Sequence, residues 1–185
     1  MNKNIYSALT TVRNLNHITR CPRFPLIRAT TVAEHSFHVA VMALFLGEEL
    51  KATTYPSLRM EKLLRRALLH DAEEALISDI PHDVKKYIQG IDAAVEQMFE
   101  NIFTGVPQWF RSAVCSPCDG SMEHRVAKLA DMLELAMYCT GEVRLGNKGI
   151  MSILRNALEI SAKLNEKIES QGAANIIKEC YRDAH

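Results

Sequence analysis

Four polar side chains interrupt faces that are otherwise apolar: His35, the adjacent pair His70-Asp71, and Asp131. His35 shares a helical face with Val32, Val39 and Met42. His70-Asp71 closes the run Ala67-Leu68-Leu69, and Asp131 stands in VAKLADMLELAM among mostly apolar neighbours. A carboxylate buried without a partner costs several kcal/mol, so an aspartate in such a helix implies a cation, a hydrogen-bond network or a wet edge. Each residue alone has an ordinary explanation: a core histidine satisfied by its neighbours, a chance His-Asp pair, an aspartate at a helix margin. Together they offer two imidazoles and two carboxylates from three helices. That donor set suits one divalent ion, Mn, Co, Fe, Ni or Zn, with Mg less natural beside two imidazoles. Four protein ligands leave an octahedral ion room for water, and a water so held is acidified and can attack phosphorus. The chemistry indicated is metal-assisted hydrolysis.

Further groups surround this set. Glu74 follows His70 by four positions, so one helical turn places it on the same face, where a carboxylate can orient a water and take its proton. Asp79, ahead of Pro81, sits where a turn residue or a hydrogen-bond acceptor for a sugar hydroxyl would. Lys85-Lys86 reads as an exposed basic pair. His38 reads as a packing or supporting group, and His82 as a surface turn residue beside the pocket. Cys115-Ser116-Pro117-Cys118 has half of a zinc-knuckle spacing with no second half, so structural zinc is not expected.

Helices must carry these residues. Apolar spacing predicts helices over Ile5–Leu15, Val32–Leu50, Leu58–His70, onward through AEEALI to Ser78-Asp79, Asp83–Tyr87, Ile91–Phe103, Met122–Cys139 and Ile150–Ser170. Thr31 followed by Glu34 is a capping box opening the second of these. In the third, Leu63, Leu64, Ala67 and Leu68 form the expected buried stripe. Residues 114–121 read as a loop, and Pro81 ends the helical stretch before it because Ile80 is pushed toward an extended conformation. No β-alternation, repeat or low-complexity tract occurs. The 185 residues, 48% apolar with only 8 Gly and 6 Pro, predict one all-α domain over residues 1–185 with a single core. The C-terminal helices of residues 150–185 are expected to pack on a core region of about residues 10–140.

Composition removes several function classes. Net charge is zero, which gives no general electrostatic footprint for polymeric nucleic acid or an anionic membrane. An anionic substrate must then be met by a local basic cluster. The longest apolar run, Val39 to Leu46, is far short of the roughly 20 residues that span a bilayer. Five cysteines, an odd set behind a polar N-terminal stretch, predict free thiols and a cytoplasmic setting.

The strings RATTVAEHS, LLHDAEEALISDIPHDVK and KLADMLEL, covering roughly residues 10–140, resemble the HD-domain phosphohydrolases, and most closely their 5′-deoxynucleotidase branch. The H…HD…D pattern marks the superfamily, and HDAxExxxxDxPxxVK is more specific. The resemblance implies an HD-type helical bundle with His35, His70, Asp71 and Asp131 as metal ligands, Glu74 as a catalytic carboxylate and Asp79 as a catalytic and pocket residue. It also implies substrate contacts from Arg23-Phe24, standing for the family's Arg-Trp, and from Lys85. An arginine fork binds phosphate oxygens bidentately. With that register, the stretch from the arginine to His35 is about three residues shorter than in the bacterial nucleotidases. Phe24 in place of tryptophan bears on how strictly a ribose 2′-OH is refused.

The implied reaction is hydrolysis of the 5′ phosphoester of a 2′-deoxynucleotide. It releases phosphate from a dNMP or triphosphate from a dNTP such as dATP, and a homo-oligomer is implied by the same resemblance. The alternatives are another HD hydrolase, acting on a cyclic nucleotide or ppGpp, and a non-catalytic nucleotide- or metal-binding module.

Overall fold

The structure, a computed structural model, describes residues 3–80, 84, 87–103, 105–114 and 119–183. Nine α-helices are seen among them: α1 Lys3–Val12, α2 Val32–Ala52, α3 Met60–Leu69, α4 Glu74–Ile77, α5 Ile91–Ile102, α6 Gln108–Val114, α7 Met122–Arg144, α8 Met151–Asn165 and α9 Gln171–Asp183. The described residues contain no strand, only an isolated antiparallel bridge between Thr19 and Thr31. The expected all-α architecture is the one found.

Helices α2, α3 and α7 pack together at the centre, and α8 and α9 cover the far side of α7. Their shared core includes Val39, Ala43, Leu46 and Leu50 of α2, Leu63 and Ala67 of α3, Leu129 and Leu133 of α7, and Leu154 and Leu158 of α8. Burial of such side chains contributes about 1.5–3 kcal/mol each. Gly47 lets α2 and α3 approach closely: a Cβ there would stand 2.6 Å from Leu63 Cδ2 and 2.7 Å from Met60 Cε. A second cluster, built on Phe99, Phe103 and Phe110, packs α5 and α6 against Ala8 and Ala72. Phe99 and Phe103 stack with ring centroids 3.9 Å apart.

The capping box of α2 is present. Thr31 Oγ1 accepts the Glu34 N–H at 3.2 Å, and Glu34 Oε2 accepts the Thr31 N–H at 2.7 Å. Several boundaries differ from expectation. The first helix ends at Val12 and continues as a 3₁₀ turn, Arg13–His17. In α3 the buried face is Leu63, Arg66 and Ala67, whereas Leu68 is exposed. Residues 70–73 form turns before α4, and Ser78 at φ 65° ends that element. Helix α6 was not expected, and α7 runs past Cys139 to Arg144. The turn of helix expected over Asp83–Tyr87 falls mostly outside the described residues, as do Cys115 and Cys118.

The helix expected over Ile150–Ser170 ends early, at Asn165, and α9 begins only at Gln171. Asn165 reverses the chain by donating to the Ser170 carbonyl and accepting the Ser170 N–H, both at 3.0 Å. Glu169 takes a positive φ of 61° in the turn. Helix α9 then starts on a tertiary cap, since Glu49 of α2 accepts the N–H groups of Gln171 at 2.8 Å and of Gly172 at 3.1 Å.

The loop between residues 18 and 31 matters most for the site. Arg20 N donates to Thr30 O and Val32 N to Ile18 O, both at 2.9 Å, which closes the loop at the start of α2. From α7, buried Glu142 accepts the N–H groups of Ile27 and Arg28 at 2.8 Å each. Tyr138 donates to Arg28 O at 2.8 Å. The loop is therefore anchored at its neck and at its far end.

Candidate metal centre

His35 occupies the first turn of α2, where the capping box fixes the helix start, and is 1% exposed. Its Nδ1 is bonded to Glu134 Oε2, across from α7. His70, the residue that ends α3, donates Nδ1–H to the Ala67 carbonyl at 2.9 Å. Carboxylate and carbonyl oxygens only accept, so both imidazoles carry a proton on Nδ1 and, when neutral, present a lone pair at Nε2.

Those two nitrogens stand 3.3 Å apart. Asp71 Oδ2 lies 3.7 Å from His35 Nε2 and 3.2 Å from His70 Nε2. Asp131 Oδ1, from α7, lies 3.3 Å and 3.9 Å from the same atoms. Donor atoms about 2.1 Å from one ion sit roughly 3–3.6 Å from each other, a spacing these pairs approach. His35, His70 and Asp71 each bring a donor atom within 4.8 Å of the other two, and Asp131 joins through the two imidazoles. Both Asp71 Oδ2 and Asp131 Oδ1 are buried and accept no hydrogen bond from the described residues. Buried carboxylate oxygens that accept no hydrogen bond and face two imidazole nitrogens fit a divalent cation.

Electrostatics points the same way. Five carboxylates, Asp71, Glu74, Asp79, Asp131 and Glu134, meet two permanent cations, Arg20 and Lys128. Burial works against a charged His70, yet neighbouring Asp71 and Asp131 push it up to about 9. Burial likewise opposes a charged His35, and the neighbouring carboxylates of Asp131 and Glu134 outweigh that and raise it. Asp71 is held well below the usual carboxylate range against its burial, by His70 and Arg20. Asp131 is depressed too, with Lys128 and the imidazoles overcoming desolvation. The acidic neighbours thus favour positive charge at this point, the charge that a cation would supply.

Arg20 lies inside this group. Its guanidinium is 3.2 Å from Asp71 Oδ2, 3.5 Å from Glu74 Oε1, 3.6 Å from Asp79 Oδ1 and 3.8 Å from Asp131 Oδ1. Glu74, 2% exposed at the start of α4, faces that arginine. Asp79 Oδ2 accepts the N–H of Cys21 at 2.8 Å, tying the loop to the site, and Cys21 adopts φ 53° there. Such a conformation in a residue with a Cβ is uncommon and is held by surrounding contacts.

The sequence expectations fare unequally. Asp131 and the His70-Asp71 pair converge with His35, and Glu74 and Asp79 border them. Arg23 does not take the place expected of it: it is exposed and Phe24 is half-buried on the loop, while Arg20 is the arginine inside the cluster. Arg20 lies three residues earlier, which restores the length missing between the arginine and His35. Lys85, Lys86 and His82 lie outside the described residues. Arg20, Glu134 and Lys128 were not anticipated. Lys128 and Glu134 flank Asp131 three residues to either side, a spacing that on a helix puts all three on one face.

A cavity of about 180 Å³ opens beside the cluster, lined by His70, Asp71, Asp131, Lys128, His124 and Arg66 among others. A larger one, about 420 Å³, adjoins it across Arg66 and is bordered by Arg59, Lys62, Arg65 and Trp109.

These features match known proteins. A 5′-deoxynucleotidase of Erwinia tasmaniensis is 30% identical over 146 residues, covering 75% of this chain and 74% of that protein. An HD-domain phosphohydrolase from Listeria innocua superposes with a TM-score of 0.75 at 23% identity, covering 97% of this chain and 89% of that one. The cyanophage S-2L HD phosphohydrolase, bound to dA and one catalytic Zn²⁺ ion, superposes with a TM-score of 0.55 at 15% identity over 95% of this chain and 92% of that one. At those identities the two structures speak for the fold. The model of the YfbR-like 5′-deoxynucleotidase family matches residues 7–178, nearly the whole bundle, and the chain belongs to that family.

Proposed function

We propose that this chain hydrolyses 2′-deoxynucleoside 5′-monophosphates to deoxynucleoside and phosphate, with one divalent ion held by His35, His70, Asp71 and Asp131. The observation that carries this is the facing of two imidazole Nε2 atoms by two buried carboxylate oxygens that accept no hydrogen bond, inside a chain of the YfbR-like family. Bound there, the ion supplies Lewis acidity toward the phosphate and acidifies the attacking water. The family's relatives named as 5′-deoxynucleotidases, and the phage enzyme that holds dA and Zn²⁺, support both substrate and cofactor. Zn, Mn, Co, Ni, Fe and Mg remain the candidate ions.

The residues around the ion then divide the work. Glu74, buried beside the cluster, takes a proton from the attacking water and passes it toward the departing 5′ oxygen as the phosphorus–oxygen bond breaks. Arg20, whose guanidinium lies beside Asp71 and Asp131, would offer its fork to the phosphate oxygens. Asp79 holds the loop at Cys21 and offers its other oxygen to a sugar hydroxyl. Lys85 remains a phosphate candidate by resemblance.

One observation favours a second reading, release of triphosphate from a dNTP. The cavity touching the candidate ligands is also lined by Lys128, His124 and Arg66, cationic or hydrogen-bonding groups in position to meet a longer phosphate chain. Self-association is also proposed: Phe37, Val41, Leu44 and Phe45 leave an apolar stripe exposed on α2. No helix of the described residues is long and apolar enough to cross a membrane. A cytoplasmic setting is proposed from the odd set of five cysteines.

The test is a product assay over deoxy- and ribonucleotides, using chelated protein with Mn²⁺, Co²⁺ or Zn²⁺ restored. Phosphate from dNMPs is the expected product; triphosphate from dNTPs selects the second reading. No turnover of any deoxynucleotide with any of these ions ends both.

A further inference from the structure

We propose that Glu134 is a positioning residue of the metal centre, orienting His35 and strengthening it as a donor. This rests on the reading that His35, His70, Asp71 and Asp131 hold one divalent ion. Glu134 lies on α7 one turn after Asp131, and its side chain is 12% exposed. Its Oε2 meets His35 Nδ1, while Oε1 lies 3.7 Å from Nδ1 of the exposed His38, one turn along α2. Helix α7 therefore supplies both a ligand and the group that orients the ligand opposite.

The comparison with His70 gives the argument its content. His70 Nδ1 is held by the Ala67 carbonyl, a neutral backbone acceptor that no side-chain change removes. His35 is held by a carboxylate, which draws on the Nδ1 proton more strongly and leaves more electron density at Nε2. His35 is thus the stronger of the two imidazole donors. Its ring is also 1% exposed, so in the intact protein Glu134 rather than bulk water meets Nδ1. A side chain there with no acceptor frees the ring to turn or to carry its proton on Nε2, the atom that the ion needs.

Glu134→Ala and Glu134→Gln test this in the full chain. The quantities are the Zn²⁺ and Mn²⁺ dissociation constants by competition with a chelator, thermal stability of the metal-free protein, and the proton spectrum of the Zn²⁺-loaded protein. Glu134→Ala should weaken both ions about 10–100-fold. The downfield His35 Nδ1–H resonance, protected from exchange in the wild type, should vanish. Glu134→Gln keeps a neutral acceptor, as Ala67 provides for His70, and should fall between the two with the resonance retained but moved upfield. If Glu134→Ala does not fold, this intermediate behaviour of Glu134→Gln alone decides. Affinities within twofold of wild type, or an unchanged His35 resonance, overturn the role of Glu134. A wild-type chain that binds neither ion overturns instead the metal reading beneath it, and the proposal with it.

Discussion

Asp131→Asn isolates the metal from the ordinary consequences of burying polar groups. Asp131 is 4% exposed, accepts Lys128 Nζ at 2.6 Å, and turns its other oxygen toward His35 Nε2 at 3.3 Å. In metal-free protein the substitution weakens one charge-assisted hydrogen bond, a loss of about 1.5–3 kcal/mol. It also removes a carboxylate from a site where desolvation costs several kcal/mol. The two effects oppose, so the metal-free Tm should move by no more than about 5 °C, and helical content should be unchanged. The ion acts differently. A ligand at about 100 times its Kd adds about 2.7 kcal/mol to the native state. A chain of this size gains about 2–4 °C per kcal/mol, so wild-type Tm should rise by about 5–11 °C. The variant, with one anionic donor fewer, should rise by less than about 2 °C at the same Mn²⁺ concentration. Calorimetry of chelated protein with Mn²⁺ titrated back, alongside measured metal content, reads both numbers. A full rise in the variant with stoichiometric ion would refute the ligand set.

Glu74→Gln should keep metal and nucleotide binding yet lose at least about 100-fold in kcat, the scale of a lost general base; unchanged kcat in steady-state assays would remove Glu74 from the reaction. Arg20→Lys should raise KM for the nucleotide at least about tenfold by losing the planar fork, whereas Arg23→Ala should stay within twofold; the reverse ranking would return the phosphate to Arg23. Glu142 is pulled below the ordinary carboxylate range, against its burial, by Asn147 and the N–H groups of Ile27 and Arg28. A depressed folded value gives stability that is present at neutral pH and lost as pH falls through it. Glu142→Gln should therefore be about 1–3 kcal/mol less stable at pH 7, with the gap to wild type closing below about pH 4; a gap constant down to pH 3 in chemical denaturation would contradict the anchoring role. Glu49→Gln should cost about 1 kcal/mol through the cap of α9, seen as earlier amide exchange at Gln171 and Gly172.

The helices were legible where periodicity and a terminator coincided. The α2 box at Thr31 and Glu34 works because its partners are three residues apart and need nothing else. The stretch after Ile150 defeated the same reasoning, since its apolar positions keep helical spacing through a turn. What breaks it is a reciprocal bond between Asn165 and Ser170, together with a carboxylate from α2 that takes over the next N–H groups. The first of these is local but looks like any polar pair on a wet helix; the second is tertiary and has no local signature.

The site divides along the same line. His35, His70, Asp71 and Asp131 announce themselves because a polar group on an apolar face needs a reason. Arg20 carries no such sign. The loop offers Arg-X-Pro twice, Arg20-Cys21-Pro22 and Arg23-Phe24-Pro25, and residue types cannot choose between them. Backbone pairing chooses: Arg20 N bonds Thr30 O beside the Thr19–Thr31 bridge, which fixes Arg20 at the neck of the loop against α2, while Arg23 is carried outward. The clue within the sequence was length, because only the first copy stands the expected distance from His35. Glu134 and Lys128 are hidden for a different reason. Charges three residues either side of Asp131 read as one solvated stripe on an amphipathic helix, the commonest arrangement in which they occur. Only Glu134 is turned toward α2, where it meets His35, whereas Lys128 stays half exposed and bonds Asp131 of its own helix. A charged residue whose partner lies on another helix cannot be told from a solvated one until the packing of the two helices is known.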